Sequence, residues 1–290
     1  MLDVGLCTQL ACVWEATARK AGNVHRLADF EDVTYPDFLL SAAAIAPVLA
    51  TARKRRVGAT VLECIRATRR VVGTNTNLGI VLLLAPLAAV PEDTELHPGV
   101  ARVLADLDVQ DSHCVFEAIR LAQPGGLGSA AAEDVRAEPT LPLRDVMALA
   151  ADRDLVARQY ENEFNEVFLD GVPRLRRELE GAGSLEAAII RTHLHLMRRH
   201  PDTLIARKRG VVEANEASWR AGVVLETGWP TRRQGYADFL QFDDWLRDLG
   251  HQRNPGATAD LVTACLFVLL RDGTLRLPLT MAWSADVIGG

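Results

Sequence analysis

The sequence predicts an all-α protein, a single compact multi-helix domain spanning residues 1–290. Two observations carry that expectation. Apolar residues recur at helical spacing along most of the chain. No segment alternates apolar and polar residues between turn signals, as a strand with one buried face does. With 290 residues, 49% of them hydrophobic, the chain is long enough for one large core.

The elements follow in order. Leu6, Leu10, Val13, Trp14 and Thr17 fall at i, i+4, i+7, i+8 and i+11 and form one stripe, so the chain opens with an amphipathic helix. Residues 23–34 are polar, carry Asp29, Glu31 and Asp32, and read as a loop. Pro36 suits a first helical residue, and the alanine-rich stretch 37–52 continues from it. Residues 57–72 form another helix, after which Thr74 or Thr76 can cap the very apolar run 78–90. Pro86 should kink that run or end it early. Two shorter helices are expected near 97–107 and 109–122. The stretch 123–142 has three prolines and the run Pro124-Gly125-Gly126-Leu127-Gly128, and is the longest clear loop. An amphipathic pattern then runs from 143 to about 169, followed by helices near 184–200, 201–224, 236–249 and 258–270.

Composition excludes several classes. A net charge of −6 and a pI near 5.7 do not suit bulk nucleic-acid binding, which needs a dense basic surface. The longest uncharged apolar run, 78–90, has 13 residues, short of the roughly 20 that span a bilayer. The chain begins with an acid at Asp3 and no basic segment, so no export signal is expected and a cytoplasmic location is. The five cysteines form no C-x-x-C pair and read as small buried hydrophobes. His193, His195 and His200 do not share a helix face in the way metal ligands would, and read as structural or exposed.

Four polar clusters interrupt the apolar pattern. Arg19 to His25 ends the opening helix, and either caps it or serves a site. Gly73 to Gly79 opens the most apolar helix, where unpaired N–H groups favour an anion; capping explains one of its Thr and Asn residues but not all. Asp202 to Gly210 carries Arg207, Lys208 and Arg209, which suit either solvent or polyphosphate. Asn254 to Asp260 forms a turn followed by an acid beside a buried helix, a place for Mg²⁺ or a ribose hydroxyl.

Taken in order, these clusters resemble the motifs of the triphosphoribosyl-dephospho-CoA synthase family. Trp14-Glu15 with Lys20-Ala21-Gly22-Asn23-Val24 resembles its W-E…P-K-P-G-N/L-V stretch, with Arg19 and Ala21 in place of the prolines. Thr74 to Gly79 resembles T-N-T-x-x-G, with Asn77-Leu78 where H-K is frequent. Asp202-Thr203 with Arg207 and Gly210 resembles D-T…R-x-x-G, and Asn254 to Leu261 resembles N-P-G-x-x-A-D-L. The Pro124–Gly128 run and the stretch 152–160 look like an archaeal-style branch rather than the citrate-lyase type.

The resemblance implies an all-α enzyme that uses ATP as substrate. It would move the 5-triphosphoribosyl group to the ribose 2′-hydroxyl of 3′-dephospho-CoA, releasing adenine. On that reading Lys20, Arg207 and Lys208 hold phosphates with the help of Thr74, Asn75, Thr76 and Asn77. Asn23, Thr203 and Asn254 join them in binding substrate. Asp202 and Asp260 hold Mg²⁺ or the ribose hydroxyls, Glu15 or Asp29 is the base, and His25 faces the leaving adenine. The implied partners are ATP and a dephospho-CoA-like acceptor, without nucleic acid or membrane, and a homo-oligomer is compatible with the sequence. Two alternatives fit the same residues: a related ATP-dependent transferase acting on another cofactor precursor, and a non-catalytic helical nucleotide-binding protein.

Overall fold

The computed structural model describes residues 2–125, 133–181 and 183–284. Among these the protein is helical, with no strand beyond two isolated bridges. The helices are α1 (Val4–Thr17), α2 (Tyr35–Leu49), α3 (Val57–Arg69), α4 (Leu78–Ala89), α5 (Leu96–Ala105), α6 (Val109–Ala122), α7 (Leu143–Ala148) and α8 (Leu155–Glu161). A π-helical segment, Glu166–Gly171, leads into α9 (Val172–Gly181). The chain continues with α10 (Leu185–Arg199), α11 (Thr203–Arg209), α12 (Val211–Glu226), α13 (Arg233–Arg247) and α14 (Gly256–Arg271). One continuous apolar core draws on residues from Val4 to Leu275.

At the centre lie α4 and α14, each apolar all round and therefore buried all round. Around α14 pack α1, α4, α8, α9, α10 and α11. Helices α4 and α14 run parallel. At their starts Gly79 touches Asp260, and at their ends the buried Arg271 donates to the carbonyls of Leu87 and Val90. Aligned dipoles repel, so the carbonyl ends want a cation and the N–H ends an anion. Arg271 meets the first demand. The second falls on the cleft described below.

Three sequence expectations change. Pro86 does not end α4 early; the helix runs on to Ala89. Proline removes one N–H and leaves the carbonyl of residue i−4 without its partner. That carbonyl belongs to Leu82, and the buried Tyr160 hydroxyl donates to it at 2.7 Å. The amphipathic pattern 143–169 is broken into α7, α8 and the π-helical segment. Asp154 caps α8 through Val156 N and Ala157 N, and Glu163 and Phe164 take positive φ after it. The pattern 201–224 is split by Gly210 at φ +93°, a conformation that glycine adopts without strain.

Of the cysteines, Cys7, Cys12, Cys64 and Cys265 are free and buried, while Cys114 is half-buried. No helix among the described residues is long and apolar enough to cross a membrane. Of the proline-glycine loop, residues 126–128 lie outside the described residues.

Candidate active site

A cleft of about 980 Å³ opens where the first residues of α4, α8, α11 and α14 meet. Its lining draws on all four polar clusters: Glu15 and Asn23; Thr74, Asn75, Thr76 and Asn77; Thr203, Arg207 and Lys208; Asn254 and Asp260. Segments some 240 residues apart thus share one space. The helix starts give the cleft a positive end, and carboxylates answer it.

The loop before α4 is built rather than free. Asn75 Oδ1 accepts from Leu78 N at 3.1 Å, so Asn75 caps the helix and neither threonine does. Asn77 is tied to Thr68 on α3 and Thr76 to Ser41 on α2. Across the cleft, Asn23 donates to Asn254 Oδ1 at 2.7 Å, while its own Oδ1 is buried with no partner. Asn23 lines the cleft, and a buried acceptor without a partner is suited to a hydroxyl or amine donor.

Cations form another part of the lining. Arg207 pairs with Asp154 at 3.0 Å and Lys208 donates to the His251 carbonyl at 3.1 Å. Burial, and then Arg207, lowers the Lys208 ammonium from its usual value. Arg153 and Arg158 join them. Elsewhere the lining is apolar, with Phe30, Phe38, Phe116 and Met147.

Four residues singled out in the sequence do other work. Lys20 is fully buried: its Nζ meets Glu15 Oε1 at 2.9 Å and donates to the carbonyls of Glu15 and Ala18. It holds Glu15 in place and does not reach the cleft. Asp202 is equally enclosed. Its Oδ1 accepts from Leu204 N and Ile205 N, and its Oδ2 from Thr258 N and Thr258 Oγ1. One carboxylate therefore caps α11 and α14 together, which leaves no oxygen for Mg²⁺ or substrate. His25 is buried in a turn, where its Nδ1 accepts from Leu27 N. Burial, with Arg247, Lys20, Arg19 and Arg26 nearby, pushes it down to about 3, which disfavours the imidazolium that a general acid needs. Asp29 is exposed outside the cleft and accepts from Tyr35 N at 2.6 Å, pinning the start of α2. Both oxygens that Asp202 would bring to an Asp202–Asp260 metal pair are thus already engaged. Among the described residues no three His, Cys, Asp or Glu side chains are grouped to hold a metal ion.

Asp260 is different from its acidic neighbours. It lies against Gly79 so closely that a Cβ there would collide with its Oδ2. Burial raises its carboxyl well above the usual carboxylate value, and Glu15, Asp202 and Asp154 add to the rise, with Arg207 opposing. Sequence reasoning missed Asp154, whose pairing with Arg207 spans 53 residues. Its one sequence signal was an acid directly before an apolar helical run. The histidines are structural as expected. His195 and His200 share Asp170, and His193 is fully enclosed.

Comparison with known proteins shows the family. Residues 1–277 match the family described as CitG, ATP:dephospho-CoA triphosphoribosyl transferase. A 2-(5''-triphosphoribosyl)-3'-dephosphocoenzyme-A synthase from Klebsiella pneumoniae is 30% identical over 115 residues, 37% of this chain; the match spans 35% of that protein's length. The crystal structure of a proposed triphosphoribosyl-dephospho-CoA synthase from Archaeoglobus fulgidus superposes with a TM-score of 0.64 at 26% identity, covering 81% of this chain and 99% of that one. The chain belongs to the ATP:dephospho-CoA triphosphoribosyl transferase family.

Proposed function

We propose that the protein transfers the 5-triphosphoribosyl group of ATP to the ribose 2′-hydroxyl of 3′-dephospho-CoA, with release of adenine. The observation that carries this reading is the meeting of the four polar clusters in one cleft with both charged and aromatic walls. A space of about 980 Å³ is at the upper end for ligand pockets, which suits two nucleotide substrates held together. Arg207, Lys208, Arg153 and Arg158 supply the cations a triphosphate needs. Phe30, Phe38 and Phe116 offer apolar faces for a nucleobase. Glu15, held by Lys20, puts a negative charge at the floor, where an oxocarbenium-like ribose is stabilised. Mg²⁺ enters as the counter-ion that ATP carries on its phosphates. The carboxylates do not form a cage for it, since Asp154, Asp202 and Glu15 are each engaged by protein donors.

The test is release of free adenine from ATP and Mg²⁺, followed by chromatography with and without dephospho-CoA. Adenine that depends on dephospho-CoA supports the reading. ATP binding without adenine release in either case would overturn it, and adenine released without the acceptor would point to another one.

Two variants report on the walls. Arg207→Ala should raise KM for ATP roughly 10- to 100-fold, the loss of a charge-assisted contact, as measured by steady-state kinetics. Gly79→Ala should fold, since alanine favours helix, but it would push the Asp260 carboxylate away. Turnover should fall roughly 10²-fold with the melting temperature retained.

A further inference from the structure

Asp260 is the one carboxylate of the cleft floor that nothing in the fold accounts for. Glu15 has Lys20, Asp154 has Arg207 and the α8 cap, and Asp202 has four donors. Asp260 has no hydrogen bond or ion pair among the described residues. Its carboxyl lies in the first turns of α14 and packs on the bare Cα of Gly79, so the fold admits it to the cleft without giving it a bonded cation.

We propose that Asp260 is the general acid that protonates the departing adenine, and that Glu15 is the base that takes the proton of the attacking hydroxyl. The assignment rests on the triphosphoribosyl transfer reading and adds to it which carboxyl does what. In the step, the acceptor oxygen bonds to C1′ of the ATP ribose and the C1′–N9 bond breaks. The hydroxyl proton goes to Glu15 Oε, the N9 bonding pair leaves with adenine, and the proton of Asp260 neutralises the base on a ring nitrogen. The transferred proton then passes from Glu15 to Asp260 and restores both. No oxidant or metal is needed for this balance.

The surroundings of the two carboxyls differ. Lys20 is completely enclosed and its Nζ meets Glu15 Oε1 at 2.9 Å, so Glu15 has a bonded cation partner where Asp260 has none. Asp260 faces anions at Glu15 on α1, Asp154 at the head of α8 and Asp202 at the head of α11. Arg207 is the cation that opposes them. The Cys12 thiol on α1 also faces Asp260, and burial raises it, so it adds no charge. Two carboxyls driven apart by their environments are the usual basis of an acid and base pair.

The decisive experiment uses Asp260→Asn and Glu15→Gln with two substrates, ATP and ATP methylated at adenine N7. An N7-methylated base is already cationic and leaves without a proton. Asp260→Asn should release adenine roughly 10²- to 10⁴-fold more slowly from ATP, yet act on the methylated substrate at close to the wild-type rate. Glu15→Gln should be slow with both. Equal impairment of Asp260→Asn on both substrates, or none on ATP, would overturn the assignment.

Two readouts do not depend on activity. The infrared carbonyl stretch of a protonated carboxyl should be present in the wild-type protein at neutral pH and absent from Asp260→Asn. The unfolded chain loses this proton near the ordinary value of 3.8, whereas the folded protein keeps it to higher pH. Between those values the folded state binds more protons, so the group lowers stability as pH rises. Asp260→Asn should therefore melt higher than wild type at pH 7, with no difference below the ordinary carboxylate value. Adenine release without the infrared band would sink the acid assignment alone. The band without any wild-type adenine release would sink the transfer reading, and the acid role with it.

Discussion

A Lys20→Met protein is expected to lose about 3–5 kcal/mol of folding stability, the range seen when one partner of a buried ion pair is removed. Lys20 has no solvent exposure, and its ammonium serves the Glu15 carboxylate at 2.9 Å and the carbonyls of Glu15 and Ala18. Methionine fills the volume and leaves all three acceptors without that donor. The Glu15 charge is then uncompensated in a site that is 4% exposed. A domain whose whole stability is about 5–15 kcal/mol would be close to its limit. The double variant Lys20→Met/Glu15→Gln removes the charge along with its partner and should recover most of the loss. Urea unfolding of the wild type, both single variants and the double variant measures the coupling directly. If Lys20 were instead a phosphate ligand at the cleft, Lys20→Met would leave unfolding unchanged and raise KM for ATP.

This prediction turns on the direction a side chain takes, which the sequence does not carry. The stripe from Leu6 to Thr17 places α1, and the long apolar runs after Thr76 and Thr258 place α4 and α14. The four polar clusters are legible because polar residues at the mouths of buried helices need a reason. A lysine after a helix C-terminus reads as a cap of that helix or, by the resemblance, as a phosphate ligand. The fold instead encloses Lys20 and turns it onto Glu15. His25 misleads for the same reason: burial, and then four nearby cations, disfavour its charged form, and burial is not legible in the sequence. Asp154 and Arg207 come from different patterns, and their pairing exists only where α8 and α11 begin side by side. The breaks at Glu163, Phe164 and Gly210 interrupt stripes that remain continuous in the sequence, and among them only Gly210 carries a local signal.

Asp202→Ala is the second variant with a large expected effect, about 3–5 kcal/mol of stability, because it removes two helix caps in one change. A single cap contributes about 0.5–2 kcal/mol, and a buried donor left unsatisfied costs about 1–3. Here Leu204 N, Ile205 N, Thr258 N and Thr258 Oγ1 all lose their acceptor in a site that is 1% exposed. The effect should reach the chemistry as well. Helix α11 carries Thr203, Arg207 and Lys208, α14 carries Asp260, and the shared carboxylate fixes the two helix starts against each other. Folded Asp202→Ala protein should thus lose turnover more than it loses ATP binding. Asp202→Asn is not a mild alternative, because an amide nitrogen in place of Oδ2 would aim donors at the donors of Thr258. Thermal unfolding in the presence of EDTA separates this role from a metal ligand's. A cap predicts the full loss of stability with no divalent ion present and no recovery when Mg²⁺ is added. A Mg²⁺ ligand predicts an unchanged apoprotein and a loss only of the stabilisation that the ion confers.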